Sequence, residues 1–354
     1  MKLIFYFFLP FFLFSNFEEN ILKNMSLDEK IGILFMVPIS TLREDHHKND
    51  IIHLIKNYKI SNFIICSADA LSLNQTLAKL NKISTLPMFI AADAEWGTAM
   101  RIKNEKIFPK NYILKNFENK DLFYIAEEIA INLKNLNIHL NLAPVVDIGK
   151  KNDYIYERSF GDNKNIVFEK ALNFVNAHKK QNVFTCLKHY PGIGETNIDP
   201  HFNLPISHKT YEEILENDLF VYKKLIENNI KFIMSSHILL KNIDDLPATL
   251  SKKTIDILRN ELFFKGIIIT DALNMQALKN NFPFEKIILL AHLAGNDILL
   301  FADHRDDCLD DILKYRIPNA FNILKNAYLN NEININYLNE KVLKILKIKY
   351  SLNK

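Results

Sequence analysis

The stretch 266–271 reads Gly-Ile-Ile-Ile-Thr-Asp, a short apolar run that ends in a carboxylate. A strand of a parallel sheet is buried on both faces, so it reads as a continuous apolar run rather than an alternating one. Seven further runs of this kind, rich in Val, Ile, Leu and Phe, occur along the chain. They are Ile31–Ile39, Ile60–Cys66, Pro87–Asp93, Ile138–Asp147, Phe184–Tyr190, Phe232–Ile238 and Asp297–Phe301.

The first of these runs overlaps a helix start. Ser26 followed three residues later by Glu29 is the pattern of a capping box, so we expect a helix there and a strand only from about Phe35. Between the other runs, apolar residues recur at three- and four-residue spacing, which predicts helices. The predicted helices are Leu71–Ile83, Leu122–Leu136, Ile166–Lys180, Tyr211–Asn228 and Lys253–Leu262.

Strands that alternate with helices eight times predict an α/β fold, a (β/α)8 TIM barrel forming a single catalytic domain. Three helical segments after the last run, ending with Ile335–Ser351, add extra C-terminal helices. A doubly wound open sheet is the alternative fold. No linker rich in Gly, Ser or Pro divides the chain, so we assign residues 21–354 to one domain.

The N-terminus carries a different signal. Lys2 precedes an apolar run, Leu3–Phe14, which is typical of a secretory signal peptide and is short for a membrane span. The sequence Ser15-Asn16-Phe17 is a poor cleavage site, so an uncleaved anchor is the alternative. Residues 1–20 are therefore predicted to be a signal peptide or anchor, and the protein to be exported to a periplasmic or extracellular location.

Composition excludes some classes of function. The formal net charge is only +3, without a basic block, which argues against nucleic-acid binding. The cysteines, Cys66, Cys186 and Cys308, are far apart and form no CxxC pair, so a zinc or redox motif is not expected. We expect them to be small buried hydrophobic residues.

Polar residues follow five of the predicted strands. In a barrel these positions converge at the C-terminal face, where the active sites of such enzymes lie. One polar residue at a strand end means little, but five at the same end of five strands predict a site. They are Asp93, Asp147, the pair Lys188-His189, His237 and Asp271.

Two features supply candidate chemistry. A carboxylate at the end of a buried strand, as at Asp271, can attack an anomeric carbon, although it can equally be the N-cap of the next helix. Asp199 and His201 flank Pro200, and in an extended stretch they would point to the same side. The aspartate would then orient the imidazole as a general acid/base, although such a pair taken alone is more often a solvated loop pair.

The ordered motifs resemble family 3 of the glycoside hydrolases, in its single-domain β-N-acetylglucosaminidase branch. The resemblance runs from about Met25 to Leu300. The motifs are Ala92-Asp93-Ala-Glu-Trp-Gly97 with Arg101, Leu142-Ala-Pro-Val-Val-Asp147, Glu157-Arg-Ser-Phe-Gly-Asp162, Lys188-His-Tyr-Pro-Gly192, Asp199-Pro-His201, Ser236-His-Ile238, Pro247-Ala-Thr249 and Thr270-Asp-Ala-Leu-Asn-Met275.

The resemblance implies a role for each candidate. Asp271 resembles the nucleophile that forms a covalent glycosyl-enzyme, and His201, oriented by Asp199, resembles the acid/base. The residues that resemble substrate-binding positions are Asp93, Arg158, Lys188 and His189. Arg101, Asp147 and His237 also match the family, but we assign them no contact with the sugar. Neither a metal nor a cofactor is expected.

The implied function is that of a retaining exo-β-N-acetylglucosaminidase acting on peptidoglycan or chitin-type fragments. The enzyme alternatives are a family 3 β-glucosidase or β-xylosidase, and a phosphorylase that uses phosphate instead of water. The non-enzyme alternative is an inactive cell-wall glycan-binding protein. The expected partner is an oligosaccharide or glycoside, with a membrane contacted only through the N-terminal segment.

Two departures from the family pattern affect the aglycone side. Ile193 stands where the family usually has a His after the first Gly of Pro-Gly-x-Gly. Trp96 stands in an Ala-Glu-Trp-Gly segment where the family more commonly has Glu-Gly-Gly. These departures leave the aglycone preference open more than the activity, and we expect Trp96 to form part of a sugar platform.

Overall fold

The computed structural model describes residues 17–43, 45–303 and 308–352. Eight parallel strands form a barrel, which confirms the predicted (β/α)8 fold and excludes the open sheet. The strands are β1 (Phe35–Ser40), β2 (Asn62–Asp69), β3 (Phe89–Ala92), β4 (Leu140–Asn141), β5 (Phe184–Tyr190), β6 (Phe232–Ser235), β7 (Ile267–Thr270) and β8 (Leu299–Leu300).

The strands are hydrogen-bonded in chain order, and the barrel closes at both sides of β8. Phe35 of β1 lies opposite Leu299 of β8, and Ile269 of β7 forms a bridge with Ile298 just before β8. All eight strands fall within the predicted runs or within three residues of them. Short parallel pairings lie outside the barrel, between Ile206–Ser207 and Leu239–Leu240, and between Ile102–Lys103 and the end of β2.

Helices surround the barrel. They are α1 (Phe17–Asn24), α2 (Leu27–Gly32), α3 (Asp45–Tyr58), α4 (Ala70–Asn81), α5 (Asn111–Leu114), α6 (Asn119–Asn135), α7 (Lys164–Lys180), α8 (Tyr211–Glu216), α9 (Asp218–Ile226), α10 (Lys252–Asp256), α11 (Gln276–Lys279), α12 (Phe284–Ala294), α13 (Leu309–Asp311), α14 (Ile317–Leu329) and α15 (Ile335–Ser351). Short π-helical turns follow α10 and α13, at Ile257–Glu261 and Ile312–Arg316.

Local sequence explains several helix ends. The capping box predicted at Ser26 forms, since the side chains of Ser26 and Glu29 each bond the other residue's backbone N–H. Thr210 and Ser251 cap α8 and α10. The predicted helix Tyr211–Asn228 is divided at Asn217, whose ψ of −77° breaks the regular helical path between α8 and α9.

Two long helices escaped sequence reasoning for opposite reasons. In α3 the apolar face is confined to its C-terminal half, after a polar start, so its periodicity is weak. In α12 the segment Ile287–Ala291 is almost continuously apolar, and a short apolar run does not separate a helix from a buried strand.

The N-terminal end of the barrel is sealed. Phe89, Phe184 and Phe232, each the first residue of its strand, pack together with ring centroids 5.5 to 6.4 Å apart. From α15, the buried Lys349 donates to the carbonyl oxygens of Ser61, directly before β2, and Pro87, two residues before β3. These side chains fill the interior of the barrel at this end, and the candidate residues Asp93, Lys188 and Asp271 lie at the opposite end.

The segment before the barrel begins with α1, which packs on α15. The ring of Phe17 lies edge-on to that of Tyr350, with centroids 5.2 Å apart. The predicted boundary at residue 20 therefore falls inside α1, while the apolar run Leu3–Phe14 lies outside the described residues. No helix among residues 17–43, 45–303 and 308–352 is long and apolar enough to cross a membrane.

Candidate active site

A cleft of about 260 Å³ opens at the C-terminal ends of the strands. It brings together six of the seven residues proposed from the sequence, namely Asp93, Arg158, Lys188, His189, His201 and Asp271. The seventh, Asp199, lies behind His201. Leu142 and Met234 contribute apolar surface to the same cleft. Binding sites for drug-sized ligands begin near roughly 300 Å³, so this cleft suits a single sugar ring.

Asp93 follows β3 directly and is held between two cations. Its Oδ1 accepts from Nζ of Lys188 at 2.7 Å, and its Oδ2 accepts from Nη2 of Arg101 at 3.1 Å. The exposed fraction of the Asp93 side chain is only 8%. Asp93 lines the cleft, where a carboxylate can accept hydrogen bonds from hydroxyl groups.

Glu95 is the central residue that sequence reasoning left without a role. It accepts two hydrogen bonds from Arg158, with Nη2 to Oε1 at 2.7 Å and Nε to Oε2 at 3.0 Å. Nζ of Lys188 lies 2.8 Å from the same Oε1. Burial disfavours the charged form, but the cations Arg158 and Lys188 outweigh it and lower the pKa of Glu95 to about 2. The feature of the sequence that could have pointed to Glu95 is its position two residues after Asp93, the aspartate that follows β3.

His189 is oriented from below by Asp147. Oδ2 of Asp147 lies 2.7 Å from Nδ1 of His189, so that nitrogen carries the proton, and Nε2 accepts from Nη2 of Arg158 at 3.2 Å. Asp147 also accepts from the backbone N–H of His189 and of Ile193. Its side chain is fully buried, so Asp147 supports the site rather than contacting a sugar.

Asp271 follows β7 and faces the cleft. Its Oδ1 accepts from the backbone N–H of Ala272 at 2.7 Å. It caps no helix, because α11 begins only at Gln276, with Met275 in the N-cap position. Burial raises the pKa of Asp271, but its histidine neighbours, His237 first, reverse that effect and the net pKa is lowered. The residue is therefore a carboxylate at neutral pH, the form that a nucleophile requires.

His237 lies beneath Asp271 and is fully enclosed. Its Nε2 donates to the carbonyl oxygen of Ala272 at 2.9 Å, and its Nδ1 lies 3.0 Å from Oγ1 of Thr249. Burial lowers the pKa of His237. Nε2 thus holds the backbone next to Asp271, Nδ1 contacts the Thr249 hydroxyl, and neither nitrogen is directed at a ligand.

Asp199 and His201 form a pair at the rim. Oδ1 of Asp199 accepts from Nδ1 of His201 at 2.7 Å and from the backbone N–H of His201 at 2.8 Å. The two residues lie in a turn rather than in the extended stretch expected from the sequence. The carboxylate of Asp199 contacts the imidazole of His201 in this turn as it would in an extended stretch. The contact leaves Nε2 of His201 as the nitrogen that can exchange a proton with a ligand.

The loop between His189 and His201 depends on close packing. A Cβ on Gly192, whose φ is +143°, would lie 2.5 Å from Oδ1 of Asp218, and a Cβ on Gly194 would lie 1.9 Å from the carbonyl oxygen of Ile148. Ile193 is buried between them, and its contribution to the site is its backbone N–H to Asp147. Because that bond involves no side chain, Ile193 in place of His leaves the support of His189 unchanged.

Trp96 lies in the cleft wall, as the sequence led us to expect. Nζ of Lys110 lies 5.3 Å from the centre of its ring, and the same Nζ forms an exposed ion pair with Glu157. The indole is therefore held at the cleft edge beside Arg101. A flat aromatic surface there suits the apolar face of a sugar ring.

Two of the three cysteines have the expected character. Cys66 and Cys186 are buried, whereas Cys308 is only partly buried, and none forms a disulfide. Burial raises the pKa of the Cys186 thiol and so favours its neutral form. Within the part of the chain that the structure describes, no three His, Cys, Asp or Glu side chains are grouped as metal ligands.

The barrel and its cleft define the class of this protein: it is a barrel glycosidase, with a carboxylate and an oriented histidine facing one sugar-sized cleft. Residues 26–348 match the sequence model described as the glycosyl hydrolase family 3 N terminal domain. The chain therefore belongs to glycoside hydrolase family 3, as its motifs indicated.

Named relatives agree with this assignment. The chain is 30% identical over 267 residues to a beta-hexosaminidase of Photobacterium profundum, covering 73% of this chain and 79% of that protein. It is 29% identical over 333 residues to beta-hexosaminidase A of Pseudoalteromonas piscicida, covering 86% of this chain and 55% of that protein. The structure of a family 3 beta-N-acetylglucosaminidase from Paenibacillus sp. str. FPU-7 matches with a TM-score of 0.84 and 26% identity, covering 93% of this chain and 64% of that one.

Proposed function

We propose that this glycosidase removes a terminal β-linked N-acetylhexosamine with retention of configuration, through a covalent intermediate on Asp271. The observation that carries the proposal is the Asp199–His201 pair at 2.7 Å, because His201 and Asp271 line the same cleft. Relatives with 26 to 30% identity are named beta-hexosaminidase or beta-N-acetylglucosaminidase, which supports the same substrate class.

The reaction proceeds in two steps. In the first, a carboxylate oxygen of Asp271 attacks the anomeric carbon, while Nε2 of His201 gives its proton to the departing glycosidic oxygen. In the second, Nε2 takes a proton from water, the water oxygen attacks the anomeric carbon, and the bond to Asp271 breaks. Asp199 stabilises the imidazolium form of His201. This form is present before the first step and forms again in the second.

The remaining cleft residues position the sugar. Asp93 accepts from hydroxyl groups, and Lys188 donates to sugar oxygens from a fixed place between two carboxylates. In the described residues, Arg158 uses Nε and Nη2 in its protein contacts, so Nη1 is its donor for substrate. The small volume of the cleft favours one terminal residue, and hence exo action.

The ion pairs of the cleft favour water over phosphate as the acceptor. Its three cations, Arg101, Lys188 and Arg158, are each paired with Asp93 or Glu95, and these pairs do not involve Asp271, which is esterified when the acceptor enters. Each cation is within 3.1 Å of a carboxylate oxygen. A phosphate acceptor needs positive charge that is not already neutralised.

We further propose that the substrates are peptidoglycan or chitin-type fragments outside the cytoplasm. The apolar run Leu3–Phe14 supports export, either with cleavage or as an anchor. Because α1 packs on α15 from Phe17 onward, a cut before Phe17 would preserve the folded unit, whereas a cut at residue 20 would remove half of α1.

The decisive experiment is hydrolysis of aryl β-N-acetylglucosaminide and aryl β-glucoside by protein that starts at Phe17. We expect at least a tenfold preference in kcat/KM for the N-acetyl sugar. A preference for the glucoside would contradict the substrate class and leave the barrel and Asp271 in place. Sugar 1-phosphate on addition of inorganic phosphate would identify a phosphorylase, and sugar binding without turnover would identify a glycan-binding protein.

A further inference from the structure

Two segments beyond the barrel are joined at the rim of the cleft. We call 150–154 the strap and 195–201 the acid/base loop. Nζ of Lys150 lies 2.6 Å from Oε1 of Glu195, and the backbone N–H of Glu195 donates to Oδ2 of Asp153 at 3.3 Å. The backbone N–H of Tyr154 donates to the carbonyl oxygen of Thr196 at 3.0 Å.

The strap also reaches the catalytic pair. Oη of Tyr154 lies 3.4 Å from Nδ1 of His201, and the interaction of the phenol with Asp199 contributes to the raised pKa of Tyr154. Nδ1 already carries the proton that it donates to Asp199, so the phenol O–H can donate only to the Asp199 carboxylate. Tyr154 is not among the residues that line the cleft, and it therefore acts on substrate only through the pair.

We propose that Tyr154 is a positioning residue for the acid/base, fastening Asp199 and His201 over Asp271 and tempering the basicity of the pair. This inference rests on the proposed function, because it assigns His201 as the proton donor. It concerns a residue outside the motifs through which the family was identified.

The direction of the effect follows from the hydrogen bond. The phenol donates to the same carboxylate that stabilises the His201 imidazolium, so it withdraws negative charge from that partner. Without the hydroxyl, Asp199 faces His201 with its full charge, and the protonated ring persists to higher pH. A hydrogen bond of ordinary net strength corresponds to roughly half a pH unit.

Other charged groups around the pair stay in place. His201 faces Asp199 on its own loop, and Asp271 and His237 interact with it from the ends of β7 and β6. Tyr154 is influenced in addition by Arg158. Burial and the charges of Asp199 and Asp271 outweigh Arg158 and raise the pKa of Tyr154 to about 12, so the phenol remains a donor throughout the range tested.

The test compares Tyr154→Phe with Tyr156→Phe, a matched change two residues along the chain. The Tyr156 ring packs against Tyr112, with centroids 6.0 Å apart, and its hydroxyl has no hydrogen bond in the described residues. Rates for aryl β-N-acetylglucosaminides with good and poor leaving groups are measured from pH 5 to 9. For Tyr154→Phe we expect the alkaline limb of kcat/KM to rise by about half a pH unit. We also expect kcat on the poor leaving group to fall about fivefold more than on the good one.

An alkaline limb that stays in place, or moves to lower pH, would overturn the inference, as would an equal change in Tyr156→Phe. The same comparison can be made without turnover, by following the His201 ring in an NMR titration of histidine-labelled protein, with His201→Ala for assignment. If the parent protein hydrolyses no glycoside, the proposed function fails, and the titration still decides whether Tyr154 acts on His201. Urea unfolding of both variants checks that each is folded.

Discussion

Replacing Glu95 by Gln tests whether the cleft depends on a buried carboxylate that contacts no substrate in our proposal. The change keeps the size of the side chain and removes its charge. Arg158 would keep only one acceptor, the amide oxygen, in place of two carboxylate oxygens, and Lys188 would lose one of its two carboxylates. Lys188, which is buried, and Arg158, which is partly buried, would then lack full compensation, which is costly where the dielectric constant is low.

The magnitude follows from the pKa of Glu95, which is lowered from 4.5 to about 2 by its partners, in spite of burial. That difference corresponds to about 3 kcal/mol of stability at neutral pH. Because the folded-state pKa is the lower one, this contribution is present above pH 4.5 and is lost as the pH falls toward 2. The deficit of Glu95→Gln should therefore shrink to less than half when unfolding is measured at pH 3.

The assay is urea unfolding at pH 7 and pH 3, together with kcat/KM at pH 7. We expect Glu95→Gln to lose about 3 kcal/mol at pH 7 and at least tenfold in kcat/KM, because Lys188 and Arg158 are no longer fixed. Glu157→Gln is the matched control. Glu157 pairs with Lys110 at an exposed site, where an ion pair contributes less than about 1 kcal/mol. If Glu95→Gln proved as stable and as active as Glu157→Gln, the reasoning would be refuted.

Three further changes test the nucleophile, the acid and the loop. Asp271→Ala should lower turnover of an aryl β-N-acetylglucosaminide by more than roughly a thousandfold, about 4 kcal/mol of activation free energy, with an unchanged circular dichroism spectrum; unchanged turnover would remove the nucleophile assignment. His201→Ala should reduce hydrolysis of poor leaving groups far more than of activated ones, and equal losses in the two series would count against an acid role. Gly192→Ala, with φ at +143° and a Cβ 2.5 Å from Asp218, should destabilise folding by about 2 kcal/mol in urea; parent-like stability would show that the loop adjusts freely.

The barrel was predictable because its strands are buried on both faces and therefore read as apolar runs. The ends of the strands were less predictable. The run Ile138–Asp147, for example, contributes only Leu140–Asn141 to β4. Periodicity located most of the surrounding helices, but it failed for α3 and α12, where apolar residues are too few or too continuous. The hydrophobic pattern shows which residues are buried. A short buried helix and a buried strand can have the same pattern, so the pattern alone does not distinguish them.

The candidate site was partly predictable. Strand-end residues such as Asp93 and Asp271 are placed by the barrel, so their convergence follows from the fold. Glu95 and Tyr154 were not assigned roles, because their partners lie 63 residues away at Arg158 and in the acid/base loop, respectively. Such contacts follow from how loops fold back over the barrel, which no local pattern in a single sequence specifies.

The proposed nucleophile and the proposed acid/base are therefore held in place by different parts of the protein. Asp271 is fixed by the barrel itself, since its backbone N–H donates to the carbonyl oxygen of Ser235 at the end of β6. His201 is fixed by a loop whose contacts, to Asp199, Tyr154 and the strap, are mostly half-exposed. Changes around the nucleophile should cost stability and activity together, whereas changes in the strap should alter proton transfer with little effect on folding. The acid/base loop is thus where this chain can vary its leaving-group preference without endangering the barrel.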